Sequence, residues 1–431
     1  TALAVVCPKT TEEVSCVVRL CAEHQIALIV QGGNTSLCAG ASPDTSGQQI
    51  ILNLRRMRHL RQIDADNACM ICEAGMPLAE AQDHAEEAGL LFPLSIASEG
   101  SATIGGTIST NAGGLNVLHY GTMRRLVLGV EAVLADGSVW SDLRQLRKDN
   151  TGYPISSLLA GAEGTLGIIT AASLSLSPRP SSYTTVMVGL DDPDQAMEAL
   201  RKVRQLTGEA VTAWELFNHV SADILAEAPV GKTLPLARAH PWYLLGELSN
   251  FGSDASRGDE LIEALASVFD EIGLDDAVPA QSEGQRADLW ALREAITEAE
   301  RACGTSLKHD VSVPISAIAG LARDMTAACA KLNPDLRLNV FGHVGDGNLH
   351  VNVLPLKRGE PIPAKLTEDA TRMIYDATHA AGGSFSAEHG VGQTKLAEMT
   401  RYKDPVALQT MRRIKTALDP DNLLNPGRLL P

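Results

Sequence analysis

The chain has 431 residues, which is enough for two or three domains with a substantial core. Its 52 acidic side chains outnumber its 36 basic ones, and the formal net charge of −16 argues against binding to nucleic acid or to anionic membranes. At 45% hydrophobic and 20% charged residues, the composition is typical of a globular protein rather than a disordered one.

Membrane and secretion signals are not visible in the sequence. No apolar run reaches the roughly 18 residues that a membrane-spanning helix needs. No signal-peptide pattern is present, and because the chain begins with Thr1 rather than Met we expect native residues before it. Cys69 and Cys72 lie in an apolar strand-like run, which favours two buried reduced thiols over a redox or zinc site. We therefore expect the protein to be located in the cytoplasm, or in the mitochondrial matrix if the source is eukaryotic.

The N-terminal part alternates predicted helices and strands. A helix is predicted over residues 8–24, starting at Thr10 and Thr11, and a second one over residues 77–88. Short strands are predicted at residues 27–30, 50–54 and 68–73. The first strand leads into the loop QGGNTSL, residues 31–37, whose small residues leave backbone N–H groups free. Such a loop can wrap phosphates, or it can be an ordinary turn.

A second glycine-rich stretch covers residues 95–121 and contains GSATIGG and NAGG. It is too long for an ordinary turn, so we interpret it as a close approach of the backbone to a large ligand. It is neither a Rossmann GxGxxG that opens a helix nor a Walker loop. An Asp-Gly hairpin follows at residues 127–140. The cluster Pro178, Pro180, Ser181 and Ser182 then predicts a domain boundary.

After this boundary, the sequence predicts an α+β layer with an antiparallel sheet. Strands are predicted at residues 184–190, 210–217 and 242–249, and helices at residues 193–206, 256–272 and 289–301. The last helix carries Arg293 and Thr297 at i and i+4, so both can reach one ligand, and Lys308 follows near a strand start. Ordinary solvated positions are the alternative for all three residues.

The segment LNVFGHVGDGNLHVNV, residues 338–353, predicts a β-hairpin. A two-residue Asp346-Gly347 turn would place His343 opposite His350, with Asn352 on the same face. Two imidazoles on a rigid hairpin are suited to a divalent metal, and Glu388 of SAEHGVG is the best candidate for a third ligand. The alternative is a pair of ordinary strand histidines beside a tight turn.

Seven motifs, in order along nearly the whole chain, resemble the FAD-linked oxidoreductases of the vanillyl-alcohol-oxidase type. They are QGGNTSL, GSATIGGTISTNAGG, YGTMRRLVLGVEAVLADG, GAEGTLGIIT, GHVGDGNLH, SAEHGVG and LDPDNLLNPG. LRKDNTGY is most similar to the D-2-hydroxyglutarate dehydrogenases, with D-lactate dehydrogenases and the glycolate oxidase flavin subunit as close relatives. The resemblance implies an α+β fold with a two-lobed FAD-binding domain (residues 1–180), a substrate- and metal-binding cap domain (181–385) and a C-terminal segment returning to the flavin (386–431).

The resemblance also implies site residues. Those expected around FAD are Gly32, Gly33, Asn34, Thr35, Ser36, Gly100, Thr103, Gly106, Asn111, Gly113, Glu163, Gly167, Ile168 and Asn425. A zinc-like metal would be held by His343, His350 and Glu388. The substrate would be bound by Arg293, Thr297, Lys308, Asn352 and His389, with His389 as the catalytic base. QGGNTSL contains no His or Cys, so we expect non-covalent FAD.

The activity implied is metal-assisted oxidation of a D-2-hydroxy acid by hydride transfer to flavin N5. Two cations, Arg293 and Lys308, suit a second carboxylate and favour D-2-hydroxyglutarate over D-lactate or glycolate. A non-enzymatic electron-relay or assembly subunit is the alternative of another class. The expected partners are the small-molecule acid and a protein electron acceptor such as electron-transfer flavoprotein, with a homodimer as a possible assembly and no nucleic acid.

Overall fold

The computed structural model describes residues 1–229, 231–252, 254, 256–355 and 357–431, and they divide into two units. The first unit comprises Thr1–Gly114, Tyr120–Arg179 and Glu388–Pro431, and the second comprises Leu115–His119 and Pro180–Ala387. Residues 115–119 are part of the second unit and residues 388–431 are part of the first, and the predicted division into residues 1–180, 181–385 and 386–431 stays a prediction.

The first unit is built on two main sheets. One is parallel, with strand order β1-β3-β2, and the other is antiparallel, with order β4-β5-β9-β7-β8, while β6 and β10 form a separate pair. The strands are β1 (Ala4–Val6), β2 (Leu28–Gln31), β3 (Ile50–Asn53), β4 (Leu60–Asp64), β5 (Cys69–Glu73), β6 (Leu90–Leu91), β7 (Val127–Val133), β8 (Val139–Ser141), β9 (Ile168–Ser175) and β10 (Ser177–Pro178). The helices are α1 (Thr11–Glu23), α2 (Leu78–Glu87), α3 (Ile104–Ser109), α5 (Met123–Leu126), α6 (Ile155–Leu159), α13 (Leu396–Tyr402) and α14 (Pro405–Leu418), and α4 (Val117–Tyr120) crosses the junction.

Local sequence signals explain the first elements. The side chain of Thr10 caps α1 by accepting the Glu13 N–H, and Val14 and Val18 of that helix are fully buried. Cys69 and Cys72 lie on β5 as free thiols, and their predicted burial is confirmed. Burial raises the pKa of Cys72 to about 12, so this thiol stays protonated and unreactive.

The second unit contains a seven-stranded sheet among its described residues, with order β14-β11-β13-β12-β16-β17-β15 and every pairing antiparallel. This sheet confirms the predicted α+β layer. Its strands are β11 (Ser182–Leu190), β12 (Val211–Asn218), β13 (Trp242–Asn250), β14 (Ala277–Pro279), β15 (Asp310–Ser312), β16 (Leu336–His343) and β17 (Asn348–Pro355). The helices are α7 (Asp194–Thr207), α8 (His219–Glu227), α9 (Ser256–Ile272), α10 (Glu283–Cys303), α11 (Ile318–Leu332) and α12 (Ala364–Ala380), with 3₁₀ turns at Gly208–Ala210 and Ile315–Ala317.

The β16–β17 hairpin forms, but its predicted two-residue turn is wrong. Phe341 pairs with His350 in the observed register, so the connection spans four residues, 344–347. The Asp346 carboxylate accepts the Asn348 N–H within this turn. Gly347 has φ +95°, and a Cβ there would lie 2.3 Å from the Val313 carbonyl oxygen, so this position requires glycine.

Helix α10 begins six residues before its predicted start. Ser282 caps it by accepting the Gln285 N–H, which is a capping signal that apolar periodicity alone does not reveal. Over the described part of the chain, no helix is long and apolar enough to cross a membrane.

Candidate functional site

Four adjacent strands of the second unit place ionisable side chains on one face of the sheet. On β16, His343 pairs in register with Glu215 of β12, and on β17, His350 pairs with Asp310 of β15. His343 and His350 are diagonal neighbours rather than directly opposed, yet they share a face. Their ring centroids are 5.8 Å apart at 82°, and a ring nitrogen of one lies within 4.8 Å of a ring nitrogen of the other.

Each histidine of this pair has a buried carboxylate on its Nδ1 side. The His343 Nδ1 donates to Glu215 Oε1 at 2.5 Å, and the His350 Nδ1 lies 3.8 Å from Asp310 Oδ1. Glu215 and Asp310 are fully buried. Carboxylates that back Nδ1 orient imidazoles with Nε2 available as a ligand, a pattern typical of metal sites. The arrangement of His343 and His350 is therefore more typical of a divalent-metal site than of two ordinary strand histidines.

Charged groups around His343 change the pKa values of the neighbouring carboxylates. Burial alone would raise the pKa of Glu215, but the charges of His343 and Arg293 and the hydrogen bonds from both lower it to about 2. Burial raises the pKa of Asp346 in the hairpin turn to about 6, against the opposing charge of His343. Glu215 is thus a fixed anion of this site.

Helix α10 contributes charged side chains seven residues apart, which places Arg286, Arg293 and Glu300 along one face. The Arg293 Nε donates to Glu215 Oε2 at 2.8 Å, and its Cζ lies 4.8 Å from the centre of the Phe341 ring. Arg293 is only 6% exposed, so it is held in place on two sides.

The buried carboxylate of Glu300 organises the other end of this face. It accepts hydrogen bonds from the amides of Asn339 and Asn352, and the Lys308 Nζ lies 3.9 Å away. The sequence analysis treated Arg293 and Lys308 as cations available to a substrate. In the structure Arg293 pairs with Glu215 and Lys308 lies near Glu300, and binding of a substrate carboxylate by either cation stays a prediction.

Three carboxylates next to the predicted site residues escaped the sequence analysis. Glu215, Glu300 and Asp310 are each fully buried. A signal was available for Glu215, since a lone acidic residue interrupts the apolar strand TAWELF, residues 212–217. For Thr297 the structure shows a half-buried side chain one turn beyond Arg293 on α10.

The remaining predicted ligand and the predicted base lie in the first unit. Glu388 and His389 are half-buried at the start of its C-terminal segment. The Glu163 carboxylate accepts the N–H groups of Val391 and Gly392, at 2.7 and 2.8 Å, and so fixes the backbone that follows His389. Burial raises the pKa of Glu163, opposed by these two hydrogen bonds.

The two predicted glycine-rich loops meet within the first unit. A Cβ on Gly33 would lie 1.8 Å from the Ser101 carbonyl oxygen, and one on Gly32 would lie 2.2 Å from Thr103 Oγ1. The backbones therefore approach as closely as glycine permits. Among the described residues, Thr103 Oγ1 is buried without a hydrogen-bond partner. A buried hydroxyl beside such a cradle fits a phosphate-bearing cofactor.

The other predicted cofactor residues differ in exposure. Asn34, Thr35, Ser36 and Gly100 are exposed, whereas Gly106 and Asn111 are half-buried and Gly113, Gly167 and Ile168 are buried. Ile168 begins β9 inside the apolar core. The side chain of Asn425 accepts the Val30 N–H and donates to the Glu163 carbonyl. A cofactor contact for Ile168 or Asn425 stays a prediction, and the structure gives both a role in the fold.

Comparisons with known proteins agree with this arrangement. Residues 2–142 match a family described as an FAD binding domain, and residues 179–429 match the C-terminal domain of FAD linked oxidases. The chain is 38% identical over 425 residues to a mitochondrial D-2-hydroxyglutarate dehydrogenase of Bos taurus, covering 98% of this chain and 76% of the relative. It is 36% identical over 432 residues to the D-2-hydroxyglutarate dehydrogenase of Xanthomonas citri pv. viticola, covering 99% of this chain and 89% of the relative.

A solved structure extends the comparison to the fold. p-Cresol methylhydroxylase with substrate bound superimposes with a TM-score of 0.77, covering 99% of this chain and 88% of that one, at 20% identity. At this identity the likeness concerns the fold alone, which is the two-domain FAD-binding fold of the vanillyl-alcohol-oxidase type. The chain belongs to the family of FAD-linked oxidases and is an FAD-dependent oxidoreductase.

Proposed function

We propose that the protein oxidises a D-2-hydroxy acid to the 2-oxo acid, with D-2-hydroxyglutarate as the favoured substrate. One observation carries the proposal: His343 and His350 share one face of the sheet, and each has a buried carboxylate near its Nδ1. Relatives named D-2-hydroxyglutarate dehydrogenase at 36–38% identity supply the substrate class. Bound FAD supplies the hydride acceptor for this reaction.

A divalent metal, of which zinc best matches the donors, would be held by His343, His350 and Glu388. Chain continuity supports the third ligand. Ala387 directly precedes Glu388, and its N–H donates to the carbonyl of Asp310, the strand neighbour of His350. When bound, such an ion supplies a Lewis acid that lowers the pKa of the substrate hydroxyl.

The protein's own residues would then hold the acid and take its proton. We assign to His389 the removal of the hydroxyl proton, and to Asn352 a hydrogen bond near the reacting carbon. The Nη groups of Arg293 and the Nζ of Lys308 would bind the distal carboxylate, with Thr297 adding a neutral hydrogen bond. Arg293 can do so although it is paired, because Glu215 engages only its Nε.

FAD would be held without a covalent bond by the loops around Gly33 and Thr103. Acid or heat should then release yellow flavin into the supernatant, whereas colour retained in the precipitate would contradict this assignment.

For reoxidation we propose a protein acceptor such as electron-transfer flavoprotein. All eight cysteines are free thiols, which supports the cytoplasm or a mitochondrial matrix as the compartment.

A monocarboxylic substrate, D-lactate or glycolate, is the second candidate. The observation that favours it is the ion partner of each cation, since Arg293 and Lys308 already have Glu215 and Glu300 nearby. A site whose cations are neutralised by the protein binds a second carboxylate less strongly.

Anaerobic reduction of the bound flavin distinguishes these candidates. The protein should be mixed with D-2-hydroxyglutarate, D-lactate or glycolate, with L-2-hydroxyglutarate as the stereochemical control, and the loss of flavin absorbance followed. We expect the fastest bleaching with D-2-hydroxyglutarate and none after exhaustive chelation. Faster bleaching by D-lactate would favour the second candidate. If none of the acids bleaches the bound FAD, the result would favour an electron-relay subunit. If the protein is fully active and elemental analysis finds no metal in it, the proposed metal site is refuted.

A further inference from the structure

Glu215 binds both a proposed metal ligand and a proposed substrate cation. Its Oε1 accepts from His343 Nδ1 at 2.5 Å, and its Oε2 accepts from Arg293 Nε at 2.8 Å. The side chain is fully buried on β12, the strand that pairs directly with β16. Bulk water therefore does not contact the carboxylate.

Strand register and helix packing explain how one carboxylate serves both groups. Glu215 and His343 are register partners, so their side chains lie side by side on one face of the sheet. Arg293 approaches from α10 and is held above Phe341, the residue two before His343 on the same strand face. Strand pairing therefore positions His343, the Phe341 ring positions Arg293, and the Glu215 carboxylate binds both.

We propose that Glu215 is a positioning residue that couples the metal site to the substrate-carboxylate site. It would hold His343 with Nδ1 protonated, which leaves the Nε2 lone pair for a metal, and it would fix Arg293 through Nε, which leaves both Nη groups for the substrate. This inference rests on the proposed function, because it assigns Glu215 a role toward the same metal and the same acid.

The role requires a carboxylate rather than any polar group. A glutamine at position 215 has one acceptor and one donor. If its oxygen faces His343, its NH₂ group faces the Arg293 Nε–H, and two donors oppose each other. If it is flipped, the NH₂ group faces His343 Nδ1 and favours the tautomer with a proton on Nε2, which removes the lone pair needed by the metal.

A matched control lies on the same helix and sheet. Glu247 of β13 is also buried and accepts from Arg286, which is seven residues before Arg293 on α10. Its further partners are Trp290 and Thr185, and none of its hydrogen bonds involves a histidine. Glu247→Gln therefore weakens another Glu–Arg pair with a buried carboxylate and a half-buried arginine, while leaving the metal site untouched.

The test measures zinc affinity of the FAD-loaded protein, stripped of metal and titrated against a chromophoric chelator. We expect Glu215→Gln to lower the affinity about 10- to 100-fold, as substitutions in the outer shell of a metal site do. Glu247→Gln should leave the zinc affinity within about threefold of the wild-type value. Its thermal unfolding midpoint should shift by about as much as that of Glu215→Gln. Glu215→Asp keeps the charge but is too short to reach both partners, and it should weaken zinc binding as well. This variant covers the case in which Glu215→Gln does not fold.

A substrate analogue that cannot be oxidised reports on Arg293. Glutarate and butyrate should each perturb the flavin absorbance of the zinc-saturated protein, and glutarate should bind more tightly. In Glu215→Gln we expect this preference to fall about tenfold, because the Arg293 side chain loses its anchor.

Three results would overturn the inference. They are wild-type zinc affinity in Glu215→Gln and Glu215→Asp, a loss of zinc affinity in Glu247→Gln equal to that in Glu215→Gln, and an unchanged preference for glutarate in Glu215→Gln.

A double-mutant cycle with His343→Ala separates this inference from the proposed function. If His343→Ala lowers zinc affinity and Glu215→Gln adds nothing further, both stand, whereas additive losses refute the coupling alone. Unchanged zinc affinity in His343→Ala would refute the metal site itself.

Discussion

Lys308→Met is the cleanest probe of how the protein chooses between a dicarboxylic and a monocarboxylic acid. The substitution removes one charge and keeps most of the aliphatic stem. The Lys308 side chain is 33% exposed and its Nζ lies 3.9 Å from Glu300, so the ion pair is long and partly solvated. Such pairs contribute roughly 0–1 kcal/mol to stability, and we expect the variant to fold normally.

The expected effect on catalysis follows from the charge that the substrate would lose. A charge-assisted hydrogen bond to a carboxylate contributes about 1.5–2 kcal/mol in a partly solvated position. For D-2-hydroxyglutarate, kcat/KM should therefore fall roughly 10- to 30-fold, since each 1.4 kcal/mol or so is tenfold. D-Lactate has no distal carboxylate, so its kcat/KM should change by less than about twofold.

The assay is steady-state turnover of both acids with an artificial electron acceptor, at saturating zinc and fixed pH. Lys365→Met is the control, because that lysine is highly exposed and pairs with Asp369 on α12. An equal fall for both acids would place Lys308 on the shared C1 carboxylate or in the fold. No fall for either acid would favour the monocarboxylate candidate.

Arg293→Ala is a less direct test, for a reason visible only in the structure. Arg293 is the buried partner of Glu215, and removing one member of a buried ion pair costs about 3–5 kcal/mol of folding stability. The same change removes the donor of Glu215 Oε2, while Glu215 Oε1 stays bound to His343. We expect lower turnover of every acid with this variant, so it cannot by itself identify a distal carboxylate.

Further predictions concern the first unit. Asn425→Ala should lower the free energy of unfolding by about 1–3 kcal/mol in a denaturant titration, because two half-buried backbone groups lose their partner; a loss of FAD affinity without loss of stability would contradict this assignment. Gly33→Ala should reduce the flavin-to-protein absorbance ratio, since its new Cβ would collide with the Ser101 carbonyl, and full FAD occupancy would show that the two loops can separate. Native alkylation followed by mass spectrometry should modify the exposed Cys16 and leave Cys72 unmodified; rapid labelling of Cys72 would refute its burial.

Elements with a strong local signal could be predicted from the sequence. The helix over Ser256–Ile272 has the predicted bounds, because its apolar spacing is regular and turn residues precede it. Helices α8 and α11 were not predicted. The hairpin register was wrong because Asp-Gly is also compatible with a longer connection. In the structure, the contacts of Asp346 and Gly347 with their surroundings select the four-residue turn.

The candidate site shows the same division between local and distant information. His343 and His350 are seven residues apart, so a hairpin pattern suffices to place them on one face. Glu215 is 128 residues from His343, and their contact depends on which strand lies beside β16 in the sheet. No local pattern determines that neighbour. An isolated acidic residue in an apolar strand nevertheless implies a buried partner of opposite charge or a proton donor, because an unpaired buried carboxylate is strongly unfavourable. Searching strands for such residues identifies Glu215, and the histidines and arginines predicted to be functional are then its first candidate partners.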